Sequence, residues 1–256
     1  MLRKRSRTIA YGGSVFLLLI ICGCGQNNNA NINNSEIIET PNINQNININ
    51  ENVNINAQNI NIEPEIIIPE NINLAIPFQS QAPNADWGHP YQEACEEASI
   101  ILSVKFLNGG TTISKEEMNE EILNMVSWEV ANWGEHKDLT AEETAALIEQ
   151  YFDGQYQAEV VYDFTWDQVK EELAQNYPII VPTAGREMGN PNYTAPGPLY
   201  HMMVIKGYDS KYVITNDVGT RKGADYKYTY GTMDSAVHDW NGGDVPHGAK
   251  VMIVVK

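Results

Sequence analysis

Tyr91-Gln-Glu-Ala-Cys-Glu-Glu-Ala-Ser-Ile-Ile-Leu-Ser-Val-Lys-Phe-Leu107 is the stretch that decides the fold. Ala94, Ala98, Ile101, Leu102, Val104 and Phe106 recur at roughly helical spacing across residues 92–107, and Asn108-Gly109-Gly110 ends the run. Cys95 therefore falls in the first turn of a buried helix. There, N–H groups without an intrahelical acceptor and the helix dipole favour the thiolate, the nucleophilic form of the side chain. Glu93, Glu96 and Glu97 oppose this, because nearby negative charge raises a thiol pKa. Helical geometry can turn those carboxylates outward, but a cationic partner is still required for reactivity. Without one, a lone helical cysteine is an inert core residue.

What surrounds Cys95 in the chain gives it weight. Arg3, Lys4, Arg5 and Arg7 precede the apolar run Ser14 to Ile21, and Cys22-Gly23-Cys24-Gly25 follows. This reads as a signal peptide, too short for a stable membrane span. Ile21-Cys22-Gly23-Cys24 resembles a bacterial lipobox, with small Gly23 before the lipidated residue, so Cys24 is the expected lipidation site and residues 1–23 the signal. A diacylated cysteine would anchor the chain stably, where one acyl chain would be marginal. Cleavage before Cys24 discards Cys22 and leaves Cys95 as the one thiol of the folded part. In an oxidising compartment a cysteine kept without a partner calls for a chemical reason.

Residues 24–73 are dominated by Asn and Ile, as in Asn42-Ile-Asn-Gln-Asn-Ile-Asn-Ile-Asn50, and carry only Glu36, Glu39 and Glu51 as charged residues before Glu63. Such a tract reads as a disordered tether, although alternating Ile and Asn is also a strand pattern. About 50 flexible residues would reach roughly 40 Å. Residues 74–256 then suffice for one domain with its own core. The net charge is −17, from 16 basic and 33 acidic residues; four of the basic residues lie in the signal, so removing it leaves 12 − 33 = −21. That balance argues against nucleic acid or anionic lipid as a partner.

Within 74–256, helices come first and strands later, an α+β arrangement. Capping boxes are expected at Ser114 with Glu117, Thr140 with Glu143 and Thr165 with Gln168. Strands are expected at 178–182, 201–207, 212–215, 226–230 and 251–255. His201 opens the run Tyr200-His-Met-Met-Val-Ile-Lys-Gly-Tyr-Asp209, and the next strand ends in Thr215-Asn-Asp-Val-Gly219. In a hairpin turning near Asp209 and Ser210, either Asn216 or Asp217 can reach His201. Nucleophile, base and orienting group then follow in chain order. The Gly/Pro-rich loop from Ala184 to Pro198 directly precedes His201 and is long enough to cover a cleft as a lid.

These residues resemble the C39-like cysteine peptidases, papain-fold relatives of bacteriocin leader peptidases. The resemblance runs from Ile76-Pro-Phe-Gln-Ser-Gln-Ala-Pro83 through Trp87, Glu93 to Ser99 and Tyr200-His201 to Asn216-Asp217. It implies a papain-like fold with the nucleophile helix packed on an antiparallel sheet. It also implies Cys95 as nucleophile, His201 as general base and acid, and Asp217 as the group orienting the imidazole. Gln81 matches the glutamine whose amide would share an oxyanion hole with the Cys95 N–H, and loss of such a donor typically costs ~100- to 1000-fold in rate. Gln81 lies 14 residues before Cys95, longer than papain-type spacing, which keeps Gln79 and Gln92 open as donors.

The expected protein is thus a lipid-anchored extracytoplasmic cysteine peptidase of the cell envelope. It would act as a monomer on a peptide or isopeptide bond through a thioester. The alternatives are an amidase or acyltransferase using the same triad, a non-catalytic binding module on the same fold, and a structural envelope lipoprotein. No phosphate-binding Gly-x-x-x-x-Gly-Lys-Ser/Thr loop occurs, so coupling to a transporter ATPase is unsupported. No cofactor is expected and no metal: His89, His136, His238 and His247 are scattered, no His-Glu-x-x-His appears, and these histidines read as surface residues.

Overall fold

The computed structural model describes residues 66–256. The expected signal, Cys24 and most of the Asn/Ile tract lie outside the described residues. Among the described residues five helices are formed: α1 (Cys95–Leu107), α2 (Lys115–Asn132), α3 (Ala141–Tyr151), α4 (Trp166–Ala174) and α5 (Tyr230–Ala236). Seven strands accompany them: β1 (Ile72–Asn73), β2 (Ala158–Tyr162), β3 (Ile179–Thr183), β4 (His201–Tyr208), β5 (Tyr212–Asn216), β6 (Tyr226–Thr229) and β7 (Val251–Val255). The predominance of helices before β3 and strands after it is the α+β order read from the sequence.

Local chemistry sets the helix starts. Thr140 and Thr165 each accept a hydrogen bond from the N–H three residues on, while Glu143 and Gln168 reach back to the capping N–H, completing both boxes. Ser114 accepts from Glu117 N, but the reciprocal half of its expected box is missing. The Glu117 carboxylate is instead engaged by Lys105 of α1. A tertiary ion pair has taken the side chain that local capping would have used.

The sheet runs β2-β7-β3-β4-β5-β6, antiparallel at every pairing. β3, β4 and β7 are buried at every residue, as strands covered on both faces must be. α1 packs against β4, which brings the start of the helix to the start of the strand. β1 pairs with β4 at Gly207 and Tyr208, past the end of the β3 register. A Cβ on Gly207 would stand 2.2 Å from Ile72 O, so only glycine admits this edge strand. Tyr208 OH donates to Pro69 O at 2.7 Å. The ordered fold therefore starts before residue 74 and takes in residues that the sequence pattern assigns to the tether.

β4 and β5 form the expected hairpin. Asp209 closes the turn, its Oδ1 accepting from Lys211 N and Tyr212 N at 2.9 Å. The register is not uniform. Tyr208 pairs with Val213 and Gly207 with Ile214, but Ile205 pairs with Thr215, leaving Lys206 as the extra residue of a β-bulge. Its ammonium is held by Asp225 Oδ1 at 2.7 Å and Ile76 O at 3.3 Å.

Candidate active site

The bulge decides which side chains meet His201. Beyond it Val204 pairs with Asn216, and continuing that register sets His201 opposite Gly219, with Asp217 a diagonal step away on the same face. His201 Nε2 donates to Asp217 Oδ1 at 2.9 Å. Asn216, the other residue able to reach it from the sequence, faces away and donates to Pro77 O at 2.8 Å and Ile76 O at 3.2 Å. Gly219 has to be small: a Cβ there would lie 2.8 Å from His201 Cε1.

Asp217 is completely buried and its two oxygens accept five hydrogen bonds. Oδ1 takes His201 Nε2 and Gly219 N; Oδ2 takes Asn190 Nδ2 at 2.9 Å, Tyr193 OH at 2.7 Å and Tyr228 OH at 2.6 Å. Burial by itself pushes this carboxyl up. The His201 charge and the hydrogen bonds from His201, Tyr228 and Tyr193 outweigh it and hold the group below the usual aspartate range. Burial and the same carboxylate push the Tyr193 and Tyr228 phenols far up, so both remain donors. An ionised Asp217 can only accept, so Nε2 must carry a proton, and the neutral imidazole presents Nδ1 as its basic atom. The Tyr193 ring also stands edge-on to His201, centroids 5.7 Å apart.

Cys95 is the first residue of α1 and is 3% exposed. Its sulfur lies near the start of β4, close enough to the Met202 backbone N–H to feel its dipole. The thiol donates to Glu96 Oε2 at 3.0 Å, and Glu96 Oε1 accepts from Leu139 N at 2.9 Å. Burial pushes the thiol well above its ordinary pKa, the Glu96 charge and hydrogen bond add to that, and the Met202 N–H pulls weakly the other way. In this arrangement Cys95 is a protonated thiol. Glu96 and Glu97 are not turned outward as helical geometry alone allows, but are fully buried. Helix α2 and the segment between α2 and α3 close over the face of α1 that carries them.

A cleft of about 700 Å³ joins these groups, lined by Cys95, His201, Gln81, Trp87, Tyr193 and Gly219 among others. Asn192, Tyr193, Thr194 and Gly197 of the Gly/Pro-rich loop form part of its wall, and Asn190 and Tyr193 fasten that loop to Asp217. Gln81 is placed in the cleft, with its backbone N–H bonded to Val218 O. Its side-chain amide does not present free donors to the cleft as the resemblance implies. Nε2 donates to Tyr91 O at 2.9 Å and Gln92 O at 3.2 Å, fixing the 3-10 turn Tyr91–Glu93 that leads into α1. Gln92 also lines the cleft, whereas Gln79 accepts from Ser80 N.

Behind the helix side of the cleft lies further buried acid. Burial and the Asp138 charge push Glu96 up to about 8; burial pushes Glu97 up to about 8; burial and the Glu97 charge push Glu129 up to about 9. Asp138, on the cleft wall, is pushed up to about 7 by burial and by Glu93. His136, read from the sequence as a surface residue, has a side chain only 1% exposed, with Nε2 2.8 Å from Glu97 Oε1. Nothing in its local sequence marks this, because its cover comes from α1 and α2. Asn190, Tyr193 and Tyr228 were not singled out by the sequence either; the composition of the 184–198 loop was the one signal pointing near two of them.

Residues 73–242 match the model of the peptidase C39-like family, and the chain belongs to that family. Among solved structures, it is similar to a protein of Bacillus anthracis described as a C39-like peptidase, at 15% identity and a TM-score of 0.45, over 73% of this chain and 98% of that one. No curated protein matches it. The family points to cysteine-peptidase chemistry.

Proposed function

We propose that the chain is a lipid-anchored, extracytoplasmic cysteine peptidase of the cell envelope, hydrolysing a peptide or isopeptide bond through a thioester on Cys95. The observation that carries this reading is that Cys95, at the N-terminus of α1, opens onto the same cleft as the His201–Asp217 pair. Cys95 Sγ gives its proton to His201 Nδ1 and attacks the substrate carbonyl carbon. The first N–H groups of α1 face the developing oxyanion. His201 then protonates the leaving amine, and Asp217 stabilises the imidazolium in between. Water, activated by His201, cleaves the thioester and restores the thiol; an amine in its place would make the reaction an acyl transfer. Gln81 acts by fixing the turn before Cys95, leaving the Gln92 amide in the cleft as the alternative side-chain donor.

Anchoring and location rest on the basic and apolar signal and on Cys24, with the Asn/Ile tract as tether. Partners are then a peptide or protein substrate and the membrane through the lipid, with no nucleic acid and a monomeric chain.

One observation favours a second reading, a non-catalytic binding groove: the thiol is bonded to Glu96 and kept protonated. The rate of Cys95 alkylation by iodoacetamide against pH, in the wild type and in His201→Ala, decides between them. A component of the rate below pH ~8 that vanishes in the variant supports the peptidase. Equal rates in both, rising only above ~8.5, support the groove.

A further inference from the structure

Glu97 of α1, Glu129 of α2 and His136 of the segment after α2 converge away from the cleft. One ligand-type atom from each lies within 4.8 Å of the other two. All three side chains are shut off from solvent. With both acids ionised, both oxygens of Glu129, Glu97 Oε2 and His136 Nδ1 have no hydrogen-bond partner, and His136 Nε2, although 2.8 Å from Glu97 Oε1, is not aligned for one; with no ion bound, a proton shared between Glu97 and Glu129 links the two carboxyls. Buried charged groups are ordinarily paired, hydrogen-bonded or bound to metal, since leaving them bare costs several kcal/mol. Here ligand-type atoms of all three side chains, most of whose polar atoms are unsatisfied, lie within 4.8 Å of one another.

We propose that Glu97, Glu129 and His136 bind one divalent first-row transition ion, with Zn2+ the best fit. Two carboxylates and a neutral imidazole carry a charge of −2, which a divalent cation cancels. An imidazole excludes the all-oxygen shell preferred by Ca2+ and Mg2+, while a mixed nitrogen and oxygen set suits Zn2+ and, less tightly, Mn2+. At bond lengths of ~2.0–2.1 Å, tetrahedral ligands stand ~3.3 Å apart, so the pair at 2.8 Å need separate by about 0.5 Å and a pair at the 4.8 Å limit would close by about 1.5 Å. The unpartnered second oxygens of Glu97 and Glu129 can complete the coordination. An ion there would tie α1, two residues beyond Cys95, to α2 and to the segment whose Leu139 N–H holds Glu96. The site would be structural and separate from the peptidase chemistry.

The test is made on the full chain in detergent, with Zn2+ itself as the probe. Elemental analysis after dialysis should give about one Zn2+ per chain. Stripping with a strong chelator should lower the melting temperature, and Zn2+ at a hundredfold excess over Kd should restore it by roughly 5–10 °C. Co2+ added to the stripped chain should give visible d–d bands of a low-coordinate nitrogen and oxygen site. Glu129→Gln and His136→Gln should each weaken binding by at least ~100-fold, as loss of a direct ligand must exceed the 10- to 100-fold cost typical of outer groups. His247→Ala, which removes an exposed histidine, should change none of these readouts. The Co2+ bands keep the test meaningful if a ligand variant folds poorly, since wild-type binding is read directly. No metal in the dialysed chain together with no thermal shift by Zn2+ overturns the proposal and leaves a proton-sharing cluster. Binding that survives both ligand variants also overturns it.

Discussion

The two walls of the cleft treat charge in opposite ways. On the sheet side, one buried carboxylate has five donors and stays ionised; on the helix side, buried carboxylates press against one another and against a thiol, and all are pushed towards the neutral form. Hydrogen bonds to a charged group contribute about 1.5–3 kcal/mol each, so the Asp217 arrangement readily offsets the cost of burial. The helix wall has no comparable set of donors. Under the proposed mechanism the base would be prepared in advance and the nucleophile would not, and the barrier to activity would lie in freeing Cys95 from Glu96.

The largest effect should come from removing either member that reacts. Cys95→Ala or His201→Ala is expected to reduce peptide hydrolysis on the order of 10⁶-fold, with circular dichroism unchanged; measurable turnover in Cys95→Ala would end the thioester mechanism. Asp217→Asn comes next, at roughly 10³- to 10⁴-fold in kcat, because a neutral amide no longer dictates which imidazole nitrogen is basic. A loss in KM alone would mean that the five donors serve only the fold.

Glu96→Gln sharpens the contrast from the other wall. It removes a carboxyl that hydrogen-bonds the thiol and becomes charged as pH approaches and passes about 8, so alkylation in that range should quicken roughly tenfold for each pKa unit recovered, while burial keeps the thiol above its free value. The same pair should give stability opposite pH limbs. Asp217 is held below its usual pKa, so its contribution is present above the ordinary aspartate value and is lost as pH falls through the folded one. Glu96 is raised to about 8, so its contribution is present below the ordinary glutamate value and is lost as pH rises towards 8. Thermal melts against pH should show Asp217→Asn flattening the acid limb and Glu96→Gln the decline between the ordinary glutamate value and about pH 8; a shared effect on one limb would contradict the assignment. Tyr193→Phe should be the mildest change, about three- to tenfold in kcat, as four donors to Asp217 remain.

The sequence reveals the residues whose position follows from local pattern. Cys95 starts a helix, His201 starts a strand and Asp217 follows the next one, so element boundaries alone bring them to one end of the sheet. Gln81 could be located in the cleft, but not the direction of its amide, which depends on a turn ten residues away. The donors around Oδ2 come from Asn190, Tyr193 and Tyr228, three positions with no shared spacing, gathered by the fold. The burial of Glu96 and Glu97 was not legible, since helical geometry alone allows them to turn outward, and neither was that of Glu129, because helix patterning says nothing of what α2 covers. Strand β2 was missed for a related reason: it is a five-residue edge strand, half-buried, in which the neighbouring β7 supplies most of the apolar signal.

Lys206 gives the chain an arithmetic constraint. Paired residues share a face, so a hairpin that ran from its turn in a single register would set Asp217 on the side opposite His201. The bulge supplies the one-residue offset that reverses this. Deleting Lys206, or inserting one residue elsewhere in the hairpin between His201 and Asp217, separates acid from imidazole without altering either, and a second single-residue change can reunite them. Length variation in this hairpin should therefore be tolerated by odd and even count rather than by size, as a reading frame is.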